Sequence, residues 1–88
     1  MNVKLSSPAF VTKPENVTVL DGEDVTLLCN VTGAPLPTVQ WRFNDYEPIN
    51  SEGRYQINRD GSLIVISAEV NVTGKYTCIR QNSAGRVS

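Results

Sequence analysis

Short runs of alternating apolar and polar residues, separated by turn-forming residues, occupy most of the 88-residue chain. The alternation is clearest in residues 25–30, where Val25, Leu27 and Cys29 share one face. A period of two is typical of a strand with one buried face. The same period recurs in residues 16–20, 39–42, 55–57, 63–65 and 76–79. The pattern therefore predicts many short strands.

Turn and breaker residues separate these runs. Pro14 cannot donate a ladder hydrogen bond, so it ends or kinks an edge strand. Gly33–Pro37 contains two prolines and is predicted to be a loop, and Asp60-Gly61 marks a hairpin turn. Strands recurring about every 8–12 residues, without a segment of helical period, indicate a β-sandwich or barrel.

Composition and charge exclude two classes of partner. The 8 basic and 9 acidic residues are scattered and give a formal net charge of -1, so no basic stripe offers a surface for nucleic acid. The longest apolar run, Leu63–Ile66, is far too short to insert into a membrane. Met1 is followed by no apolar leader core, so we interpret it as a start added to a piece of a longer protein.

Two cysteines, Cys29 and Cys78, are 49 positions apart. An even number of cysteines in a short chain fits a single disulfide formed in an oxidising compartment. Two buried free thiols are the alternative. A chain of this length buries a small core, so a covalent link would contribute strongly to its stability.

The spacing of Cys29, Trp41 and the triplet Tyr76-Thr77-Cys78 resembles the signature of the immunoglobulin superfamily. Pro14, the run Gly33–Trp41 and the segment Arg54–Leu63 resemble its intermediate, or I-set, branch. The resemblance implies an all-β, two-sheet Greek-key sandwich in which Cys29 and Cys78 bridge opposite sheets. It also implies that Trp41 packs on the bridge, that the Tyr76 hydroxyl bonds backbone at the preceding turn, and that Leu63 and Val65 are core residues.

The chain departs from the family pattern at two places. Val72 stands where relatives carry an aspartate that pairs with the residue equivalent to Arg54. Arg54 must therefore turn to solvent or find another acid, of which Glu52 and Glu69 are nearest in sequence, and we predict that it is exposed. Only Arg86–Ser88 follow the last turn, so we expect a truncated final strand. The predicted domain spans residues 9–88, after a flexible segment of residues 1–8.

Three Asn-Val-Thr triplets begin at Asn16, Asn30 and Asn71, and each is an acceptor pattern for N-glycosylation. Each asparagine is predicted to face outward. The alternative is an ordinary hydrogen-bonding role for asparagines in turns and at strand ends. Sequons have meaning only in secreted chains, so they favour an extracellular location.

The sequence contains nothing that favours catalysis or a cofactor. It has no histidine, the commonest general base and metal ligand. The acids Asp21, Glu23 and Asp24 lie close together but lack the oxygen-rich loop that calcium prefers, so we expect a solvated turn and no metal. We predict that the chain is not an enzyme and binds no cofactor.

Protein binding is the remaining function. Alternation outward from Cys78 places Thr77 and Ile79 beside Gln40 and Arg42, and the isoleucine is a candidate centre for a protein contact. Tyr46 is a second candidate. The expected partners are other proteins and neighbouring domains of the same chain.

The family resemblance implies an extracellular binding or spacer module of a cell-adhesion or guidance-type receptor. One alternative is a domain of a secreted matrix glycoprotein of the peroxidasin, papilin or perlecan type. Another is an intracellular muscle domain of the titin type, which the sequons and the cysteine pair disfavour.

Overall fold

The computed structural model describes residues 4–16, 18, 20–44, 47–69 and 72–88. Nine strands are described within these ranges, and no α-helix is present there. The strands are β1 (Ser6–Thr12), β2 (Val25–Leu27), β3 (Asn30–Ala34), β4 (Thr38–Phe43), β5 (Glu47–Ile49), β6 (Tyr55–Ile57), β7 (Leu63–Val65), β8 (Tyr76–Asn82) and β9 (Gly85–Val87).

The strands form two layers, and every pairing is antiparallel. One layer is the four-stranded sheet, in the order β5-β4-β8-β9. The other, here called the split layer, consists of the pair β1-β3 and the three strands β2-β7-β6. Only Leu28 and Cys29 separate β2 from β3, so these two small sheets lie side by side. The predicted all-β immunoglobulin-like sandwich is confirmed.

The core lies between the layers, where the disulfide joins Cys29 of the split layer to Cys78 of the four-stranded sheet. Trp41 is fully buried beside it, and the indole Nε1 donates a 2.8 Å hydrogen bond to the carbonyl of Gly61. Leu63 and Val65, both on β7, are also buried. These side chains point inward because they occupy alternate positions along their strands.

Tyr76 makes the backbone contact that the resemblance implies. Its hydroxyl donates a 2.7 Å hydrogen bond to the carbonyl of Val72, in the turn that precedes β8. Its ring packs at a tilt against Phe43, with the ring centroids 5.0 Å apart. Burial, reinforced by the neighbouring Tyr55 hydroxyl, raises the pKa of Tyr76 well above its usual value.

Arg54 is half-buried, so the prediction of an exposed side chain is wrong, but its acid partner is Glu69, one of the two alternatives that the sequence offered. The guanidinium donates from Nη1 to the carbonyl of Ser67 at 3.2 Å, and its Nη2 lies 3.7 Å from the Glu69 carboxylate. The Arg54 side chain is 31% exposed and that of Glu69 is 55% exposed. An ion pair this open to water contributes little to stability. The backbone carbonyl therefore substitutes for part of what the missing aspartate would supply.

The first part of the chain differs from the predicted boundaries. β1 begins at Ser6, and the buried Pro8 belongs to it, so part of the segment expected to be flexible pairs with β3. Pro14 lies just beyond the end of β1. Among the described residues between Lys13 and Asp24 no strand is assigned. Val17 and Val19, predicted to share a strand face, lie outside the described residues.

Removing the disulfide by replacing Cys29 and Cys78 together with alanine is expected to lower the free energy of unfolding by about 4 kcal/mol, because the bridge spans 49 positions. The measurement is urea denaturation of the two proteins, preceded by a non-reducing mass determination that establishes the bridge. Equal denaturation midpoints would show that the link does not constrain the unfolded chain.

The Tyr76→Phe substitution is expected to lower the free energy of unfolding by about 1 kcal/mol, because the carbonyl of Val72 loses its hydrogen-bond donor. The raised pKa means that the folded state holds the phenolic proton more tightly than the unfolded state does. The resulting stabilisation is fully present below the ordinary tyrosine pKa of 10.0 and is lost as the pH rises above it.

Chemical denaturation at a series of pH values up to about 11 measures this dependence. Tyr76→Phe should show a weaker alkaline loss than the unmodified chain. Tyr55→Phe is the matched control, since it leaves the bond between Tyr76 and Val72 in place. Parallel alkaline profiles for all three proteins would contradict the role assigned to Tyr76.

Candidate interaction surface

The predicted partner-binding residues meet on the outer face of the four-stranded sheet. Gln40 lies directly opposite Ile79, and Arg42 lies directly opposite Thr77, in the pairing of β4 with β8. Side chains of directly opposite residues project from the same face of an antiparallel pair. Gln40 is exposed, whereas Arg42 and Thr77 are half-buried. Tyr46, the other candidate, lies outside the described residues.

Ile79 is only 6% exposed, so the prediction of an exposed apolar centre is wrong. The side chain does point away from the disulfide core, as the alternation from Cys78 requires. β8 lies between β4 and β9, however, so neighbours on both flanking strands can cover an isoleucine in its middle. The surface available to a partner is therefore polar.

Two arginines define the character of this polar surface. Arg42 stands opposite Pro48 on one side and Thr77 on the other, and Arg86 of β9 stands opposite Gln81 of β8. Among the described residues neither arginine forms an ion pair. We name this surface the cationic face, and it consists of Gln40, Arg42, Thr77, Gln81 and Arg86. Its two guanidinium groups, which lack an ion-pair partner within the described ranges, are suited to carboxylate or other anionic groups on a partner.

Arg80, on the inner face of β8, is a structural residue that the sequence reasoning missed. It is 3% exposed, and its Nη1 donates to the carbonyls of Cys29 at 3.0 Å and Asp60 at 3.1 Å. Its Nη2 donates to the carbonyl of Pro37 at 3.1 Å. Burial lowers the pKa of Arg80, and the Asp60 carboxylate partly opposes this. One guanidinium thus links β8 to three other segments.

Asn82, two residues further along β8, holds the same end of the sandwich. Its amide nitrogen donates to the carbonyls of Ser6 at 2.8 Å and Pro35 at 3.0 Å. Its side-chain oxygen accepts the backbone N–H groups of Ala84 and Gly85 at 2.9 and 3.1 Å. The start of β1, the loop before β4 and the turn before β9 are therefore fixed relative to one another.

Leu36 projects from this fixed loop and is 80% exposed. The carbonyls on either side of it, those of Pro35 and Pro37, are held by Asn82 and Arg80. An apolar side chain on a loop this constrained is a second candidate contact point, because little conformational entropy remains to be lost on binding.

The sequence signal for Arg80 and Asn82 was available, since counting in steps of two from the inward Cys78 places both on the inner face.

The described sequons differ in their surroundings. Asn16 is exposed and lies outside the strands, whereas Asn30 is half-buried on β3. Asn71 lies outside the described residues.

Other kinds of site have little support in the described part of the chain. It contains no group of three or more potential metal ligands of the His, Cys, Asp and Glu types. Asp24, in the acidic turn, accepts the backbone N–H of Ser67 at 2.9 Å. The described residues also include no helix that is long and apolar enough to cross a membrane. A cleft of about 870 Å³ is lined on one side by Pro14, Glu15, Asn16, Thr18 and Asp21, and its lining includes the core side chains Leu27 and Val65.

Comparison with known sequences places these features in a family. Residues 8–88 match the family described as the immunoglobulin I-set domain. The chain is 37% identical to Protein sidekick of Drosophila melanogaster over 87 residues, and 42% identical to human Roundabout homolog 3 over 82 residues. It is 39% identical to the mouse Peroxidasin homolog over 80 residues.

These alignments cover 99%, 93% and 91% of the chain but only 4%, 6% and 5% of the respective relatives. Each relative is thus many times longer than the chain.

Solved structures show the same architecture. Immunoglobulin domains 1–4 of Sidekick-1 superpose with a TM-score of 0.86 at 28% identity, over 94% of this chain and 22% of that one. Titin domain M7 superposes with a TM-score of 0.89 at 30% identity, over 98% of this chain and 90% of that one. The backbone arrangement is therefore shared by proteins of different kinds, and the fold alone does not distinguish their functions.

The Gly61→Ala variant tests the packing around Arg80. A Cβ at Gly61 would overlap Arg80 Nη1 and would lie 3.2 Å from the carbonyl oxygen of Cys29. We expect the free energy of unfolding to fall by about 2–4 kcal/mol. Alanine is disfavoured in the left-handed backbone conformation of Gly61 (φ 94°), and its Cβ would displace the buried, hydrogen-bonded guanidinium of Arg80.

Gly22→Ala is the matched control, because Gly22 has nearly the same φ (89°) but nothing within 4 Å of the added carbon. Thermal and urea denaturation of both variants separate the two contributions. Equal losses would show that Arg80 moves aside at no cost.

Proposed function

Because this chain belongs to the immunoglobulin I-set family, we propose that it is an extracellular binding module of a cell-adhesion or guidance-type receptor. It acts through protein contacts made by the cationic face. The main support for this proposal is the similarity to sidekick and roundabout proteins over more than nine-tenths of the chain. An I-set domain is a non-catalytic module, and the chain has no histidine.

The extracellular location is supported by the relatives and by the disulfide between Cys29 and Cys78. The relatives include cell-surface receptors and secreted matrix proteins. Structural disulfides persist in oxidising compartments and are rare in the cytosol.

The cationic face supports binding to an acidic protein surface. Arg42 and Arg86 have no ion-pair partner among the described residues, while Gln40 and Gln81 are exposed between them. Arginine is enriched at energetically important contact positions, where it pairs with carboxylates in two-pronged geometry. The partner is therefore a protein that presents Asp or Glu side chains, on the same or an opposing cell.

A secreted matrix glycoprotein is the second candidate for the parent protein. The similarity to the mouse peroxidasin homolog, 39% over 91% of the chain, favours it. A module of this kind would hold the same fold but bind deposited matrix in preference to cells.

Beads coated with the chain through a C-terminal tag distinguish these possibilities. An adhesion module is expected to make the beads cluster or attach to live cells, and Arg42→Glu is expected to weaken binding about tenfold, the effect of losing one well-placed contact. Raising the salt concentration should weaken binding in the same direction.

Glu52→Arg is the control, because it reverses a single charge in an exposed turn between β5 and β6, outside the cationic face. Loss of binding in Leu36→Ser but not in Arg42→Glu would move the contact to the end of the sandwich. Attachment to cell-free matrix alone would favour the peroxidasin-type parent. No attachment to any of these surfaces would contradict a binding role for this domain.

A further inference from the structure

Asn30 is placed on the outer face of the split layer. The preceding Cys29 points into the core and is fully buried, so strand alternation turns Asn30 outward. Thr32, the third residue of the sequon, is exposed on the same face and stands opposite Ala9 of β1. The acceptor asparagine and the required threonine therefore project together from one surface of a regular strand.

The side-chain amide of Asn30 has no structural duty in the described part of the molecule. Asn44, Asn58 and Asn82 all use their side chains in hydrogen bonds that fix turns. Among the described residues, the Asn30 side chain makes no such bond. Its amide nitrogen, the atom to which an N-linked sugar attaches, can thus be modified without breaking a contact of the fold.

Apolar side chains flank Asn30 on this face. Leu28, two residues earlier, is 44% exposed, and Val11, at the register shift of β1 beside Asn30, is 68% exposed. Ile64, which stands opposite Thr26, continues the surface on β7 and is half-buried. We name Val11, Leu28 and Ile64 the Leu28 strip. Single exposed apolar residues are ordinary, but this face presents two exposed apolar side chains and a half-buried third around one sequon, which a covering group would remove from water.

We propose that Asn30 carries an N-linked glycan whose first sugar residues lie over the Leu28 strip. Each pyranose ring has one face made largely of C–H groups, which gains free energy by covering apolar side chains. The hydroxyl of Thr26 lies on the same face and can bond the polar edge of the sugar, and that of Thr32, which donates to the carbonyl of Ala9 at 3.5 Å, can still accept a bond from it. The occupant of the strip is thus part of this chain.

A glycan at this position has a consequence for recognition. It covers the outer face of the split layer and leaves the cationic face, on the opposite sheet, open to a protein partner. This inference rests on the extracellular location proposed above, since N-glycans are added only in the secretory pathway. Its test uses mass and stability measurements, so failure of the bead experiment would leave the result unaffected.

The first measurement is glycopeptide mass spectrometry of the chain secreted from cultured animal cells. The peptide that contains Asn30 is expected to carry a glycan, and Thr32→Ala is expected to abolish it, whereas Thr32→Ser, which keeps the sequon, retains it. Secretion of folded chain with an unmodified Asn30 would overturn the proposal.

The second measurement is the effect of the glycan on thermal stability. Enzymatic removal of the glycans from the folded chain is expected to lower Tm by about 4 °C, the shift expected when apolar side chains in a domain of this size lose their cover. The control is Asn16→Gln, which removes the sequon that lies outside the strands. It should leave the change in Tm on deglycosylation unaltered. Because removal acts on protein that is already folded, the test does not depend on whether an Asn30 variant is secreted.

The Leu28→Ser variant shows whether the sugar contacts the strip. It should lower Tm in the glycosylated chain and have a much smaller effect in the deglycosylated chain, because only the former loses a contact. An equal change in Tm in both forms, or no change in Tm on deglycosylation, would refute packing of the glycan on this face.

Discussion

The structure depends on the inner seam where Cys29, Cys78 and Trp41 bring the two layers together. Once these three side chains are buried, strand alternation determines which face each remaining side chain of β4, β8, β2 and β3 points to. A slip of one residue would expose the disulfide and bury Gln40 and Asn30. Both surfaces assigned here, the cationic face and the Leu28 strip, are consequences of that register.

Much of this arrangement could be predicted because it is written locally in the chain. The alternation around Cys29 and Trp41 identifies the inward residues, and the hydroxyl of Tyr76 reaches back only four residues to Val72. What escaped prediction depends on contacts between distant segments. Ile79 points outward as expected, yet neighbours that no single strand reveals cover it. Arg54 kept a partner because the carbonyl of Ser67, 13 residues away, replaces part of the missing acid.

Arg80 shows most clearly how tertiary context alters the meaning of a residue. A lone arginine next to a buried isoleucine is ordinarily assigned to the surface, since unpaired buried charge is costly. Here three backbone carbonyls, from Cys29, Pro37 and Asp60, accept hydrogen bonds from the two terminal nitrogens of the guanidinium and compensate for part of its lost hydration, while Nε has no partner among the described residues. Those carbonyls come from three loops or strand junctions whose convergence is a property of the fold. Gly61 is then required because a side chain there would occupy the same space.

The hydrogen bonds of Arg80 and Asn82 on β8 also explain how a small domain can present a defined surface. Arg80 and Asn82 fix the loops at one end, while the disulfide fixes the middle, so little of the end near Leu36 has to be ordered when a partner binds. The cationic face gains in the same way, because β4 and β8 are paired over six positions and their side chains keep a constant spacing. The two arginines have no carboxylate partner in the described part of the chain, so burying them costs solvation free energy that acidic groups on a partner can recover. The rigid sheet therefore favours a partner with acidic groups at matching positions over one that offers only an apolar patch.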